Sequence, residues 1–206
     1  VIYDNDTAAD LRKWDSVETL FLVRETAAIT YTLGEKVTTV NVEDKINNVN
    51  TTLKFNDAVA AATLGVNNVI TGTVTVDSAA AAALKTLTVD ASGKASTFTL
   101  DQTTTDTIET LNITGKANLT LTSVASLTAV KTVDGSKAEG NLTLTNTGSM
   151  TSIKTGSGND TVYTDNIGID TSAATWVVNA ANVVSATTLD NLVGKVVDMN
   201  GATAGT

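Results

Sequence analysis

The sequence predicts an all-β protein that folds as a parallel β-solenoid, and three observations carry this prediction. A six-residue phrase (apolar, any, Thr or Ser, apolar, any, apolar or Thr) recurs about every 22 residues. A second alternating segment, such as TVTVD or LTLTN, lies between successive copies with the same period. Thr, whose β-branched side chain suits pleated strands, makes up about a fifth of the 206 residues. A fixed period of this size is typical of solenoids, whose coils bury their apolar faces against one another.

The two kinds of segment define two strand series. The fourth residues of the six-residue phrase form the first series: Leu20, Val40, Leu64, Leu87, Leu111, Ile153 and Trp176, with a looser copy at Val130. The second series is centred on Tyr31, Leu53, Val74, Phe98, Leu119, Leu142 and Val162. Each coil should therefore hold two strands and two corners, and about eight coils should stack at about 4.8 Å per strand.

Corner residues follow from local backbone chemistry. Gly supplies positive φ, and Asp or Asn satisfies nearby backbone donors. We expect corners at Asp90 to Gly93, Gly115, Asp134 with Gly135, and Gly156 to Asp160. The return corners at 56–64 and 77–84 are rich in Ala, which favours a helical turn there.

The chain divides into two parts by this pattern. Residues 1–16 do not follow the repeat, and we interpret them as an N-terminal cap or a junction to another domain. Asp6 or Thr7 would cap a short helix there, with Ala8, Leu11 and Trp14 on one face. Residues 17–206 form the solenoid domain, in which Val183 with Val184 and Val196 with Val197 would form one more coil near the end.

An antiparallel β-sandwich is the alternative fold. Short strands with turn residues every 8 to 12 positions also describe that architecture. The spacing between copies of the phrase is uneven, which keeps this alternative open. The solenoid is favoured because two series share one period.

Composition excludes several functional classes. The chain has no Cys and no His, which removes thiol nucleophiles, the commonest general base and the usual transition-metal ligands. Its net charge of -9 and its pI of about 4.3 argue against binding to nucleic acid or anionic membranes, since phosphate contacts need clustered Lys and Arg. No apolar run approaches the roughly 20 residues that span a bilayer. We expect neither an enzyme nor a membrane-inserted protein, and divalent cations become plausible ligands.

One motif has a specific chemistry. The segment TGSGNDTVY at 155–163 matches eight of nine positions of GGxGxDxUx, a calcium-binding nonapeptide, with Thr155 in place of the first Gly. Gly156 and Gly158 would let backbone carbonyls turn toward a hard cation, and Asp160 would supply a carboxylate. A single copy occurs, whereas calcium in such arrays lies between consecutive turns. A corner that only turns the chain is the other interpretation of this segment.

Thr pairs recur on the second strand series: Thr30/Thr32, Thr73/Thr75, Thr97/Thr99, Thr120/Thr122 and Thr143/Thr145. Such TxT columns resemble the ice-binding face of insect antifreeze solenoids, although Lys54 and Tyr163 interrupt them. Outward Thr residues also suit any solvated sheet face. Carboxylates such as Asp77 and Asp90 are scattered through the corners, which is typical of a solvated acidic surface rather than of a polysaccharide-cleaving site.

The Thr- and Ala-rich coils, the acidic balance and the motif from Gly156 to Val162 together resemble bacterial surface-layer (S-layer) proteins and related RTX-type secreted proteins. The resemblance is one of composition over the repeats and of motif only in the nonapeptide. It implies export by a type I system, a calcium-dependent lattice and anchoring to cell-surface polysaccharide through a separate domain. It also implies that Gly156, Gly158 and Asp160 are calcium ligands.

These observations predict a structural, self-assembling extracellular protein at the cell surface, whose partners are copies of itself. The alternative is a binding module, either an adhesin segment or an ice-binding face built on the Thr pairs.

Overall fold

A computed structural model describes residues 8–79, 83–103, 106–145, 150, 152–164, 170–171, 175–178 and 196–197. These residues form two parallel sheets. Sheet A contains, in spatial order, β2 (Thr19–Val23), β4 (Thr39–Glu43), β6 (Ala61–Asn67), β8 (Thr86–Asp90), β10 (Thr110–Gly115), β12 (Thr132–Ala138), β14 (Ser152–Lys154) and β16 (Asp170–Thr171). Sheet B contains β1 (Ala8–Asp10), β3 (Ile29–Thr32), β5 (Thr51–Phe55), β7 (Thr73–Ser78), β9 (Ser96–Asp101), β11 (Leu119–Ser123), β13 (Leu142–Leu144), β15 (Thr161–Thr164), β17 (Thr175–Val178) and β18 (Val196–Val197).

The architecture is a parallel β-solenoid, which confirms the predicted fold class. Every pair of neighbouring strands is parallel, and up to β17 the chain alternates between the sheets. The antiparallel sandwich is thereby excluded. There are about six turns with a period of about 23 residues. Most of the chain beyond Trp176, where the sequence predicts the last coils, lies outside the described residues.

Alternation within the strands builds the core. Each sheet sends every second side chain inward, so the interior fills with stacked aliphatic residues from both sheets. Leu64, Leu87 and Leu111 of sheet A and Leu53, Leu100 and Leu121 of sheet B are all fully buried. The few aromatic core residues, Tyr31, Phe55 and Phe98, lie in sheet B. Each buried aliphatic side chain contributes roughly 1.5 to 3 kcal/mol of transfer free energy.

Strand register departs from the predicted alignment at several coils. In sheet A, Leu64 pairs with Val89 instead of Leu87. In sheet B, Leu53 pairs with Val76 instead of Val74, and Val74 pairs with Leu100 instead of Phe98. Phe98 pairs with Leu121 instead of Leu119, and Val162 pairs with Leu144 instead of Leu142. Every shift is of two residues, and because side chains alternate with a period of two, the same face still points inward.

Two assignments of the first series are wrong. The residue in register with Leu111 is Val133, whereas Val130 is buried in the preceding turn. Trp176 belongs to sheet B, where it pairs with Val162, and the sheet A position after Ile153 is held by Thr171. Val196 and Val197 extend sheet B beyond β17, whereas Val183 and Val184, the other pair of the predicted further coil, lie outside the described residues.

The expected N-terminal helix is also wrong. Ala8–Asp10 forms a strand that pairs with Thr30–Thr32, and turns follow it. Leu11 is buried, but Trp14 is 43% exposed, so the two side chains do not share one packed face. Backbone pairing to an existing sheet has overridden a weak local helix signal. Residues 1–7, including Asp6 and Thr7, lie outside the described residues, and the role of 1–16 as a cap stays a prediction.

The Ala-rich return corner at 56–64 forms a turn, and β6 begins at Ala61, so no helical turn occurs there. The corner at 77–84 lies partly outside the described residues. Gly115 has the positive φ expected of a corner glycine, at 107°. Arg24, Asp44 and Asn68 also have positive φ and occupy equivalent corners of three successive coils. Asn and Asp tolerate this conformation well, whereas Arg rarely adopts it.

Side-chain oxygens of Asn and Asp join several coils to their neighbours. The Oδ1 atom of Asn118 accepts the backbone N–H of Asn141 at 2.9 Å, and Asn141 Oδ1 accepts that of Asn159 at 2.9 Å. Asn67 Oδ1 binds the N–H of Lys94, and Asp77 Oδ1 binds that of Thr103. These bonds satisfy corner N–H groups that have no partner in the sheet ladders.

Candidate functional site

The predicted calcium motif forms the corner between β14 and β15. It lies directly on residues 135–141 of the preceding coil, which are the end of β12 and the corner that follows it, so the corner expected at Asp134 and Gly135 is instead part of a strand. A Cβ atom at Gly156 would overlap the carbonyl oxygen of Ala138, and one at Gly158 would overlap that of Gly140. The N–H of Ser157 donates to the same Ala138 oxygen at 3.1 Å. Close backbone approach therefore requires glycine at both positions, whether or not a metal binds.

Asp160 lies inside the solenoid. Its side chain is 1% exposed, and it precedes β15 at the level where Leu142 precedes Thr143 in the coil below. Its Oδ1 atom accepts the backbone N–H of Leu142 at 2.9 Å, while its Oδ2 atom is buried and has no hydrogen-bond partner. Part of this carboxylate thus has a structural task, and one oxygen remains available.

A second unpaired oxygen belongs to the same corner. Thr155, which replaces the first Gly of the motif, is 6% exposed, and its Oγ1 atom also has no hydrogen-bond partner. Buried polar atoms without partners are uncommon, because each costs about 1 to 3 kcal/mol. Two of them in one six-residue corner are the kind of oxygen donors that a hard cation takes.

The oxygen atoms of this corner are of the type that Ca²⁺ binds, but together they carry little negative charge. Ca²⁺ takes 6 to 8 oxygen ligands, and affinity rises with the number of carboxylates. Asp160 is the acidic residue of this corner, and among the residues that the structure describes no group of three or more His, Cys, Asp or Glu could share a metal ion. The sequence also offers Asp165 and Asp170 from the following segment; Asp165 lies outside the described residues, and Asp170 begins β16, where it pairs with Ser152. Calcium binding by Gly156, Gly158 and Asp160 stays a prediction.

The Thr pairs are brought together in part. Thr97, Thr120, Thr143 and Thr161 form one column across four coils of sheet B. The Oγ1 atoms of Thr99 and Thr122 are 2.9 Å apart and share a hydrogen bond. The register shift between β7 and β9 ends the column toward the N-terminus, because Thr73 pairs with Thr99 and Thr75 pairs with Asp101. Thr75 is buried, and Tyr163 is 43% exposed, so the face is not uniformly flat.

Several corner carboxylates bind neighbouring coils, in contrast to the expected solvated surface. Asp77 is 1% exposed and accepts both the N–H and the hydroxyl of Thr103 at 2.9 Å. Asp90 accepts hydrogen bonds from Ser92 and Thr114. These contacts occupy the carboxylates in holding corners together.

The sequence did not lead us to a buried charged corner at Glu25 and Lys45. Glu25 is 5% exposed; its Oε2 atom accepts the Thr51 hydroxyl at 2.5 Å, and its Oε1 atom has no partner. Lys45 is fully buried, and its Nζ donates to the carbonyl of Thr71 at 2.8 Å. Both residues follow a residue of positive φ, which turns them inward. Aligning LFLVRET with VNVEDKI would have placed the opposite charges at one repeat position.

Burial shifts both titrations. It raises the pKa of Glu25, an effect that hydrogen bonds from Thr51 and Tyr31 and the charge of Lys45 partly offset. Burial lowers the pKa of Lys45, and the charge of Glu25 partly restores it. Burial thus disfavours the charged form of each group, and the opposite charge of the other group favours it.

Comparison with known proteins gives no relative: no family model, no curated protein and no solved structure matches the chain. Among the described residues, no helix is long and apolar enough to cross a bilayer.

Proposed function

We propose that this protein is a structural, self-assembling extracellular protein and forms part of a calcium-dependent S-layer lattice at the cell surface. The observation that carries the proposal is the repetition of one coil over about six turns. Repetition places equivalent Thr and Asn side chains along the outer faces, as in the columns of Thr97, Thr120 and Thr143. A surface that repeats at fixed intervals suits regular contacts with copies of itself. A cell-surface polysaccharide would be held by a separate domain.

Calcium dependence is supported by the two unpaired oxygens of the corner at 155–160. Thr155 Oγ1 and Asp160 Oδ2 would join backbone carbonyls as ligands. One carboxylate gives a site of low charge, and extracellular calcium modules of this kind bind in the range of about 10⁻⁴ to 10⁻³ M. When bound, the ion would satisfy both oxygens and brace two adjacent corners.

Assembly in calcium tests this proposal. We expect the purified protein to form ordered sheets or filaments in millimolar calcium, seen by negative-stain microscopy, and to dissociate in a chelator. Asp160→Asn keeps an oxygen for the Leu142 N–H but removes the charge, so assembly should need about tenfold more calcium.

Asp77→Asn is the matched control, because Asp77 is also 1% exposed and accepts a backbone N–H, from Thr103 at 2.9 Å, in β7, far from the corner at 155–160. It should leave the calcium requirement unchanged. A protein that stays monomeric at high concentration in millimolar calcium contradicts the lattice. If the two variants need equal calcium concentrations, the calcium site at Asp160 is contradicted, but the lattice proposal is not.

A binding module with an ice-binding face is the second candidate, favoured by the aligned Thr97, Thr120 and Thr143. Thermal hysteresis measurements test it. Thr120→Tyr at the centre of the column should abolish any hysteresis, and absence of hysteresis in the unsubstituted protein rejects the candidate.

A further inference from the structure

The outer face of sheet A is recessed around Gly65. The recess is a hollow of about 240 Å³, and its walls come from β4, β6, β8 and the corner after β8. Because Gly65 and Gly93 have no side chains, the amides of Asn41 and Asn67 occupy the space where Cβ atoms would otherwise lie. The hollow is lined by amide, hydroxyl and carboxylate groups.

Two carboxylates line the hollow, and neither has a cation beside it. Glu43 and Asp90 form no ion pair with a Lys or Arg in the part of the chain that the structure describes. The Asp90 carboxylate accepts the hydroxyl of Ser92 at 2.7 and 2.8 Å and that of Thr114 at 2.8 Å. Hydroxyl groups orient a carboxylate without neutralising its charge. The hollow therefore favours a positively charged group.

A β-bulge on the same face presents such a group. Between Asn112 and Thr114 of β10, the paired residues of β12 advance by three positions, from Asp134 to Lys137. As a result Ser136 and Lys137 are consecutive exposed residues, which a strand with regular alternation does not give. Lys137 has no ion pair with a described carboxylate. The bulge thus places an unpaired ammonium group on the outer face of sheet A.

Lys137 and the hollow lie in one column across the sheet. Gly65 pairs with Asp90, Asp90 pairs with Thr114, and Thr114 pairs with Lys137. The column thus crosses β6, β8, β10 and β12, and at about 4.8 Å per strand Lys137 is roughly 14 Å from Gly65. This separation is longer than a lysine side chain, so Lys137 does not reach the centre of the hollow in its own molecule.

We propose that the outer face of sheet A is a docking surface for the same face of a second copy of this chain, with Lys137 of each copy in the hollow of the other. The inference rests on the proposed self-assembly and names one of its contacts. A two-fold axis that runs along the strands between β8 and β10 exchanges β6 with β12. It therefore forms both contacts at once, as an isologous interface requires.

Charge and area favour a second copy as the occupant. Each copy supplies an acidic hollow and an unpaired Lys137, so the contacts are complementary although the chain has a net charge of -9. The overlapping strands, from β4 to β14, span about 29 Å by about 17 Å, which is roughly 500 Å² on each copy. A total of about 1,000 Å² lies at the lower end of specific interfaces. We therefore expect a weak dimer.

Charge exchange tests the contact. Lys137→Glu should raise the dissociation constant of the dimer at least about tenfold, measured by analytical ultracentrifugation, because it brings like charges together in the hollow. Adding Asp90→Lys to the same chain should restore most of the affinity, since each copy again supplies opposite charges. Lys54→Glu is the matched control: it changes the net charge equally but lies in β5 of sheet B, so it should alter the dissociation constant less than about threefold.

Cross-linking of the unsubstituted protein gives a test that does not depend on the folding of a variant. Carbodiimide joins an amine directly to a carboxylate and adds no spacer. In a mixture of isotope-labelled and unlabelled protein, peptides that link Lys137 to Glu43 or Asp90 should contain one labelled and one unlabelled partner. A cross-linked dimer in which no such mixed peptide occurs overturns the inference.

The outcomes separate this inference from the lattice proposal. If Lys137→Glu dimerises as readily as the unsubstituted protein, the hollow is not the contact, while the lattice proposal stands. If the protein dimerises through Lys137 but forms no ordered assembly in millimolar calcium, the lattice proposal fails and the docking surface stands. If the unsubstituted protein stays monomeric at high concentration with and without calcium, both fail.

Discussion

Glu25 and Lys45 occupy the same corner in successive coils. Burial disfavours the charge of each side chain, whereas the opposite charge of the other favours it. Glu25 accepts the hydroxyl of Thr51, and Lys45 donates to the carbonyl of Thr71. Replacing one member of a buried charged pair usually costs stability, because the other charge is then left uncompensated. The pH dependence of the free energy of unfolding shows whether the destabilising effect of burying the Glu25 carboxylate exceeds the stabilising effect of its neighbours.

We expect Glu25→Gln to flatten the pH profile of stability. Because the pKa of Glu25 is raised in the folded state, its contribution is full below its ordinary value of 4.5 and is lost as pH rises through the folded value. Gln does not titrate, so this loss should disappear. Urea unfolding between pH 4 and pH 8 measures it.

Glu139→Gln, at an exposed side chain, is the control for this experiment and should keep the profile of the unsubstituted protein. A Glu25→Gln profile parallel to that of the unsubstituted protein would mean that Glu25 does not titrate differently on folding.

For single residues, the sequence indicated the chemical role of a side chain better than its position in the fold. Asp160 stood out through its motif, but only packing shows that one of its oxygens binds the Leu142 N–H. Glu25 and Lys45 were missed because charged residues ordinarily lie outside. Their inward direction depends on the positive φ of Arg24 and Asp44, and an Arg gives no sign of such a conformation in the sequence.

At the corner of residues 155–160 the backbones of two coils approach closely, and adding one methyl group at Gly156 tests this approach. Gly156→Ala should destabilise the protein by about 1 to 3 kcal/mol, because the new Cβ overlaps the backbone carbonyl of Ala138 and the neighbouring corner must move. Urea unfolding measures the change.

Gly65→Ala is the matched control. The three atoms nearest to its Cβ all belong to the side chain of Asn41, whose amide can rotate away, so the cost should be under about 1 kcal/mol. Equal losses for the two variants would show that the corner at 155–160 yields as easily as a side chain.

Strands were predictable as elements, whereas their alignment was less so. Alternation of apolar residues and Thr identifies the strands, since it follows from the pleat itself. It does not distinguish Leu87 from Val89 as the partner of Leu64, because both choices bury an aliphatic side chain. The length of the intervening corner decides the register, and that length has no periodic signal.

For the whole molecule, the repeat was sufficient to predict a parallel solenoid. In a solenoid each coil contacts its neighbours, so the architecture follows from one period and needs no long-range pairing rule. The candidate calcium corner was predictable as a motif, but its two unpaired oxygens emerge only when two coils are stacked.

The Asn and Asp bonds between corners have a direction. In the pairs Asn67 to Lys94, Asp77 to Thr103 and Asn118 to Asn141, the acceptor belongs to the earlier coil and the donor to the later one. Asp160, which reaches back to Leu142, is an exception. A folded coil therefore presents oriented hydrogen-bond acceptors to the backbone N–H groups of the following corner. If the coils fold in order from the amino terminus, these acceptors are in position before the next corner forms.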